Sequence, residues 1–133
     1  MESQTIEFEG SGGITLIADA WGDPDADLIL FMHGGGQTRH SWGGAAELLA
    51  GKGWRTLSVD LRGHGDSGWS PNGDYEAVHF VADINAVLSQ LGRKAVLVGA
   101  SLGGRTATFV VGNGAPDLCR ALVLVDITPK IEA

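Results

Sequence analysis

Polar and apolar positions along this chain fall into two alternating periods, one of strands and one of helices. Thr5-Ile6-Glu7-Phe8 and Ile14-Thr15-Leu16-Ile17-Ala18 alternate or are β-branched, with Gly10-Ser11-Gly12-Gly13 between them. That pattern predicts an antiparallel hairpin with an irregular turn. After a loop at Gly22-Asp23-Pro24-Asp25, the unbroken apolar run Leu28-Ile29-Leu30-Phe31-Met32 predicts a strand buried on both faces. Trp42, Ala45, Ala46 and Leu49 then recur on one helical face, with Ser41 as the expected cap and Gly51 and Gly53 at the far end. Arg55 to Asp60 is the next strand, and a polar loop follows through Pro71 to Asp74. Ala77, Val81, Ile84, Leu88 and Leu91 mark a long amphipathic helix. A short apolar strand from Ala95 to Val98 leads into a helix from Leu102 to about Asn113, using the same hydrophobic periodicity. Pro116 breaks that helix before the strand Ala121–Val125, which ends at Asp126. Strands alternating with helices after an opening hairpin predict the α/β class: a mostly parallel sheet with an N-terminal antiparallel hairpin and helices on both faces.

Composition narrows the function. The 133 residues suit one domain, able to bury roughly two-thirds of its unfolded surface. With 44% hydrophobic and 19% charged residues the chain is globular rather than disordered. Its net charge of −7 opposes a nucleic-acid backbone or an anionic membrane, so neither is an expected partner. Cys119 is the only cysteine, which excludes an internal disulfide and fits a reducing compartment. Met1-Glu2-Ser3-Gln4 lacks the basic-then-apolar opening of a signal peptide, and no apolar run reaches bilayer length. A cytoplasmic location is the expectation. Glycine is unusual, 21 residues or about twice the average share, and it gathers after the apolar runs, where α/β proteins build ligand loops.

Three of those loops bear on chemistry. Gly99-Ala100-Ser101-Leu102-Gly103 follows a strand and opens a helix, the arrangement of a nucleophile elbow. The turn leaves no room for bulk two residues to either side of the serine, and both positions are glycine. Free N–H groups and the positive end of the helix dipole surround Ser101 and suit a tetrahedral oxyanion. The plainer reading is that Ser101 only caps the helix, since serine is a preferred cap. His33-Gly34-Gly35-Gly36 lies at the carboxyl end of a central strand, where open α/β sheets bind ligands. Acyl transfer needs two backbone N–H groups aimed at one developing oxyanion. Leu102 offers one, and Gly35 is best placed in its loop to offer the second.

The third loop, Gly63-His64-Gly65-Asp66-Ser67-Gly68, matches the dinucleotide fingerprint G-x-G-x-x-G, with Asp83 at the distance expected of a ribose ligand. Its context fails, because the fingerprint must open a helix directly and Trp69-Ser70-Pro71-Asn72-Gly73 intervenes. Arg62 and Asp66 are expected to fix this loop by hydrogen bonds and charge pairing. The histidines at 33, 40, 64 and 79 have neither i, i+4 spacing nor cysteine company, so no metal is expected. His33 and His64 are expected to brace their loops, and His79, in the long helix, to lie at the surface or pack against a neighbour. No cofactor is expected.

Together, His33-Gly34-Gly35-Gly36, Asp60-Leu61-Arg62-Gly63-His64-Gly65-Asp66-Ser67 and Gly99-Ala100-Ser101-Leu102-Gly103-Gly104 resemble the α/β-hydrolase family, most closely its esterase-like branch with a helical cap. The resemblance implies that Ser101 is the nucleophile and that the N–H groups of Leu102 and Gly35 form the oxyanion hole, supported by the loop residues His33, Gly34 and Gly36. It also implies that serine at 101 disfavours dehalogenase and epoxide-hydrolase chemistry, where that family carries aspartate. In this fold the acid and then the histidine follow the nucleophile. The acids after Ser101 are Asp117, Asp126 and Glu132, with Asp126 at a strand end a candidate for the triad, but no histidine follows Ser101. The expectation is therefore that residues 1–133 form the N-terminal half of the fold, without cap or C-terminal catalytic segment. Two functions stay open. The chain is part of a serine hydrolase for a small acyl substrate such as an ester or thioester, or it is a non-catalytic module that binds a partner. In either case its last strand is expected to associate, with a C-terminal half or with a second copy.

Overall fold

The five residues of Leu28–Met32 are all buried, and the sheet is assembled around them. The computed structural model describes residues 2–114 and 116–125, which form six strands in the order β1-β2-β4-β3-β5-β6. Here β1 is Gln4–Glu9, β2 Thr15–Trp21, β3 Leu28–Met32, β4 Arg55–Val59, β5 Ala95–Ala100 and β6 Cys119–Val125. The hairpin β1–β2 is antiparallel and its turn is a short 3-10 segment, Ser11–Gly13. β3 pairs in parallel with β4 on one side and β5 on the other, and β5 with β6. The expected mixed, mostly parallel sheet is the one observed.

Alternation along β3 feeds two cores. Leu28, Leu30 and Met32 join Leu57, Leu97, Ile84 and Leu88 on one face, where helices α2 (Ala77–Leu91) and α3 (Leu102–Phe109) pack. Ile29 and Phe31 join Trp21, Ala46 and Ala50 on the other face, under α1 (Gly43–Ala50). Trp42, Ala45 and Leu49 pack against this second cluster, as the helical periodicity predicts. Because β3, β4 and β5 are parallel, their carboxyl ends share one edge of the sheet. The chain leaves β3 for β4 on one side and returns to β5 on the other, so that edge holds a topological switch point, the usual ligand crevice of open α/β sheets.

Two helix boundaries differ from the sequence reading. Ser41 does not cap α1. Thr38, in extended conformation, accepts from His40 N at 3.3 Å and starts a 3-10 turn, Arg39–Trp42, that runs into the helix. The turn is pinned from inside, since Trp42 Nε1 donates to Met32 O at 3.0 Å. The helix after Ser101 keeps α geometry only to Phe109 and then widens into a π turn, Val110–Gly114. Two glycines and an asparagine there are weak helix formers. Among the described residues no helix is long and apolar enough to cross a membrane.

β6 has one neighbour among the described residues, and Val123, Leu124 and Val125 are 43%, 45% and 37% exposed. Unpaired backbone groups beside exposed aliphatics, with no charge or proline from Ala121 to Val125, invite a further strand. Light scattering coupled to size exclusion should find the 133-residue chain oligomeric or poorly soluble, and Leu124→Lys should shift it toward monomer. A cooperatively melting wild-type monomer at high concentration would show that the edge is covered within the chain.

Candidate active site

Ser101 is built into a turn that the backbone resists. At φ 52 and ψ −112 it is the one non-glycine with positive φ among the described residues, a conformation costing about 1–3 kcal/mol. Close packing enforces it. A Cβ on Gly99 would meet Gly103 O, and one on Gly103 would meet Met32 O, so the strand and helix backbones touch at these two residues. Gly103 N donates to His33 O at 3.0 Å, which locks the start of α3 to the exit of β3. A capping serine would hold extended dihedrals and accept a bond from the first turn. Ser101 makes no such bond, and its hydroxyl has no hydrogen-bond partner among the described residues. It is exposed at the head of α3, so the simple cap reading fails.

The loop after β3 stands against this serine. A Cβ on Gly34 would lie 3.5 Å from Ser101 Cβ, and one on Gly35 would lie 3.9 Å from Leu102 Cβ. Most N–H groups around the serine are already taken. Gly34 N donates to Gln37 Oε1 at 3.0 Å, Gly36 N to His64 Nε2 at 3.0 Å, and Gln37 N to Gly34 O at 3.1 Å. Gly35 N–H and Leu102 N–H have no partner among the described residues. Gly35 and Gly36 are exposed, while His33 is fully buried.

Both histidines brace loops, as expected. His33 Nε2 accepts from Leu61 N at 3.0 Å and its Nδ1 faces Gly34 O at 2.7 Å. Burial, chiefly, holds its pKa below the ordinary histidine value. His64 Nδ1 faces Arg62 O at 2.9 Å. His40 is largely exposed, 3.9 Å from Asp19, and His79 in α2 is 3.9 Å from Asp74. Neither contacts Ser101. Asp117 is exposed beside the start of β6, and Asp126 and Glu132 lie outside the described residues.

Two arginines hold the loops to the scaffold. Arg62 makes a buried bidentate bridge to Asp83, with Nε to Oδ2 at 2.6 Å and Nη2 to Oδ1 at 2.8 Å. Those hydrogen bonds raise its pKa against the opposing effect of burial. Asp83 is thereby consumed, and Gly63 N closes on Gly68 O at 2.9 Å, so the glycine loop has no free cradle for a dinucleotide. Arg39 was not singled out by the sequence. It is buried, with Asp60 on Nη1, Asp66 at 2.9 Å and Asp19 at 3.1 Å. Burial works against its charge, and the three carboxylates more than reverse that, so its pKa lies above the usual arginine value. The only signal in the sequence was an arginine inside an otherwise neutral loop, which does not tell where the side chain goes.

Residues 27–133 match the family model described as alpha/beta hydrolase fold. Among curated proteins, the Mycobacterium tuberculosis esterase Rv0045c is 43% identical over 126 residues, which is 94% of this chain and 40% of that protein. The mouse sn-1-specific diacylglycerol lipase ABHD11 is 40% identical over 110 residues, 81% of this chain and 35% of its own. Among solved structures, the thioesterase domain from the curacin biosynthetic pathway superposes with a TM-score of 0.82 at 32% identity, covering 94% of this chain and 46% of that domain. The match thus spans 35% to 46% of the length of these relatives.

Proposed function

The chain belongs to the alpha/beta hydrolase fold family, and from that premise we propose that it carries the nucleophilic half of a serine hydrolase for esters, thioesters or similar acyl substrates. One observation carries the proposal. The strained Ser101 presents an unbonded hydroxyl, and among the described residues the neighbouring N–H groups of Gly35 and Leu102 have no partner. Ser101 Oγ attacks the acyl carbon, the carbonyl pair moves to oxygen, and the two N–H groups hold that oxyanion at the positive end of α3. Strain at the nucleophile is tolerated because it keeps the hydroxyl directed outward. The names esterase, lipase and thioesterase among the relatives support acyl chemistry. Attack also requires a base, and we place that base outside the described residues, since His33 and His64 have both ring nitrogens engaged by backbone. Binding without turnover is the second reading, favoured by the lack of an imidazole contact at Ser101 among the described residues.

A fluorophosphonate tests the first reading, because its own reactivity compensates for a weakly activated serine. Mass spectrometry of the treated chain should show one adduct, mapped to Ser101 and absent from Ser101→Ala. A label of equal extent in the alanine variant would remove Ser101 from the mechanism.

A further inference from the structure

We propose that His64 and His33 are a crossed pair of positioning residues that pin the two peptide planes on either side of Gly35, and that His64 does so by accepting the Gly36 N–H. The inference deepens the reading of Gly35 as an oxyanion donor and rests on it. A trans peptide is planar, so the Gly35 N–H points opposite to the Gly34 C=O. That carbonyl faces His33 Nδ1 at 2.7 Å, and it must receive a proton from it, since a carbonyl only accepts. The next plane holds the Gly35 C=O and the Gly36 N–H, and this N–H donates to His64 Nε2. The Gln37 N–H on Gly34 O at 3.1 Å shares the first plane with His33, whereas at the second, with glycine at 35 and glycine at 36 with φ 77, the N–H is held by His64.

The exchange is reciprocal. The β3 loop sends His33 to the Leu61 N–H, and the β4 loop returns His64 to the Gly36 N–H, with ring centroids 4.9 Å apart. The bond directions place the proton on Nδ1 and the lone pair on Nε2 in both rings. The charged groups around the pair are few. Asp60 acts on His33 through space but is held by Arg39, Asp66 completes that Arg39 pair, and Arg62 is engaged with Asp83.

The test compares His64→Leu, which has no acceptor, with His64→Gln, whose amide oxygen can occupy the Nε2 position. Amide hydrogen exchange reads the latch directly, and the rate of fluorophosphonate adduct formation at Ser101 reads its consequence. In His64→Leu, exchange at Gly36 should accelerate about 3- to 10-fold, the scale of one hydrogen bond. Adduct formation should slow about 10- to 100-fold, as expected of a displaced donor. His64→Gln should stay near wild type in both. Unchanged Gly36 exchange in His64→Leu, or an equal defect in the glutamine variant, would overturn the proposal. Should His64→Leu fail to fold, His64→Ala, which also lacks the acceptor, set against His64→Gln, which keeps it, still decides it. Should wild-type Ser101 take no adduct, the oxyanion reading fails, while exchange still decides the latch.

Discussion

Asp83→Asn should cost the chain about 3–5 kcal/mol of stability, the scale observed when one partner of a buried ion pair is removed. The substitution keeps the volume of the side chain and one acceptor. Asn Oδ1 can still take the Ser11 N–H, which donates to Asp83 Oδ1 at 2.8 Å. The amide nitrogen must then face the Arg62 guanidinium, donor against donor, and Arg62 is only 2% exposed. Water cannot reach the cation to replace the lost carboxylate. Two further bonds hold the guanidinium where it is, from Nη1 to Asp74 O at 2.8 Å and from Nη2 to Ser11 O at 3.2 Å. Arg62 therefore joins the hairpin turn, α2 and the β4 loop, and His64 reaches Gly36 from that same loop. Denaturant unfolding at one protein concentration measures the cost, because association through β6 would make the midpoint concentration-dependent. A loss below about 1 kcal/mol would mean that the pair is solvated and contributes as little as a surface bridge. Since domains are commonly stable by 5–15 kcal/mol, the expected loss is a large share of the whole.

What the sequence revealed depended on whether a feature is local. The apolar run Leu28–Met32 announces a doubly buried strand because five consecutive residues admit no polar face. The elbow is legible because the glycines at 99 and 103 stand two residues to either side of Ser101, although only the demand at Gly99 is local and that at Gly103 comes from Met32 O on β3. The expected Ser41 cap of α1 is not formed because a 3-10 turn, begun at Thr38 and pinned by Trp42 Nε1 on Met32 O, carries Ser41 and leads directly into the helix. Arg39 stayed hidden for a stronger reason. Its carboxylates come from positions 19, 60 and 66, on different strands and loops, and no spacing in the chain links them. The same holds for His33 and His64. A bracing role can be read from each loop, but their exchange across 28 residues exists only once β3 and β4 lie side by side.

Hydrolysis of an activated ester by the 133-residue chain should stay on the order of 10⁵–10⁶ below the rate of an intact serine triad. A serine hydroxyl is a poor nucleophile until a base removes its proton, and among the described residues no histidine is bonded to Ser101. Each candidate fails on its own geometry. His33 is buried, with Leu61 N–H on Nε2 and Gly34 O at Nδ1. His64 is held in the same way by Gly36 and Arg62, and using it as a base would break its bond to Gly36. His40 faces Asp19 and His79 faces Asp74, each at 3.9 Å. Oxyanion donors and binding can still give a residual acceleration of about 10³–10⁴ over water. Steady-state assays should therefore show a slow rate with no burst, and Ser101→Ala should remove it. Free imidazole supplied in the buffer should accelerate the wild-type chain more than Ser101→Ala, because it replaces the one missing group. Turnover at the rate of an intact esterase, lost on replacing His40 or His79, would instead place the base within this chain and require a rearrangement of α2 or of the β3 loop.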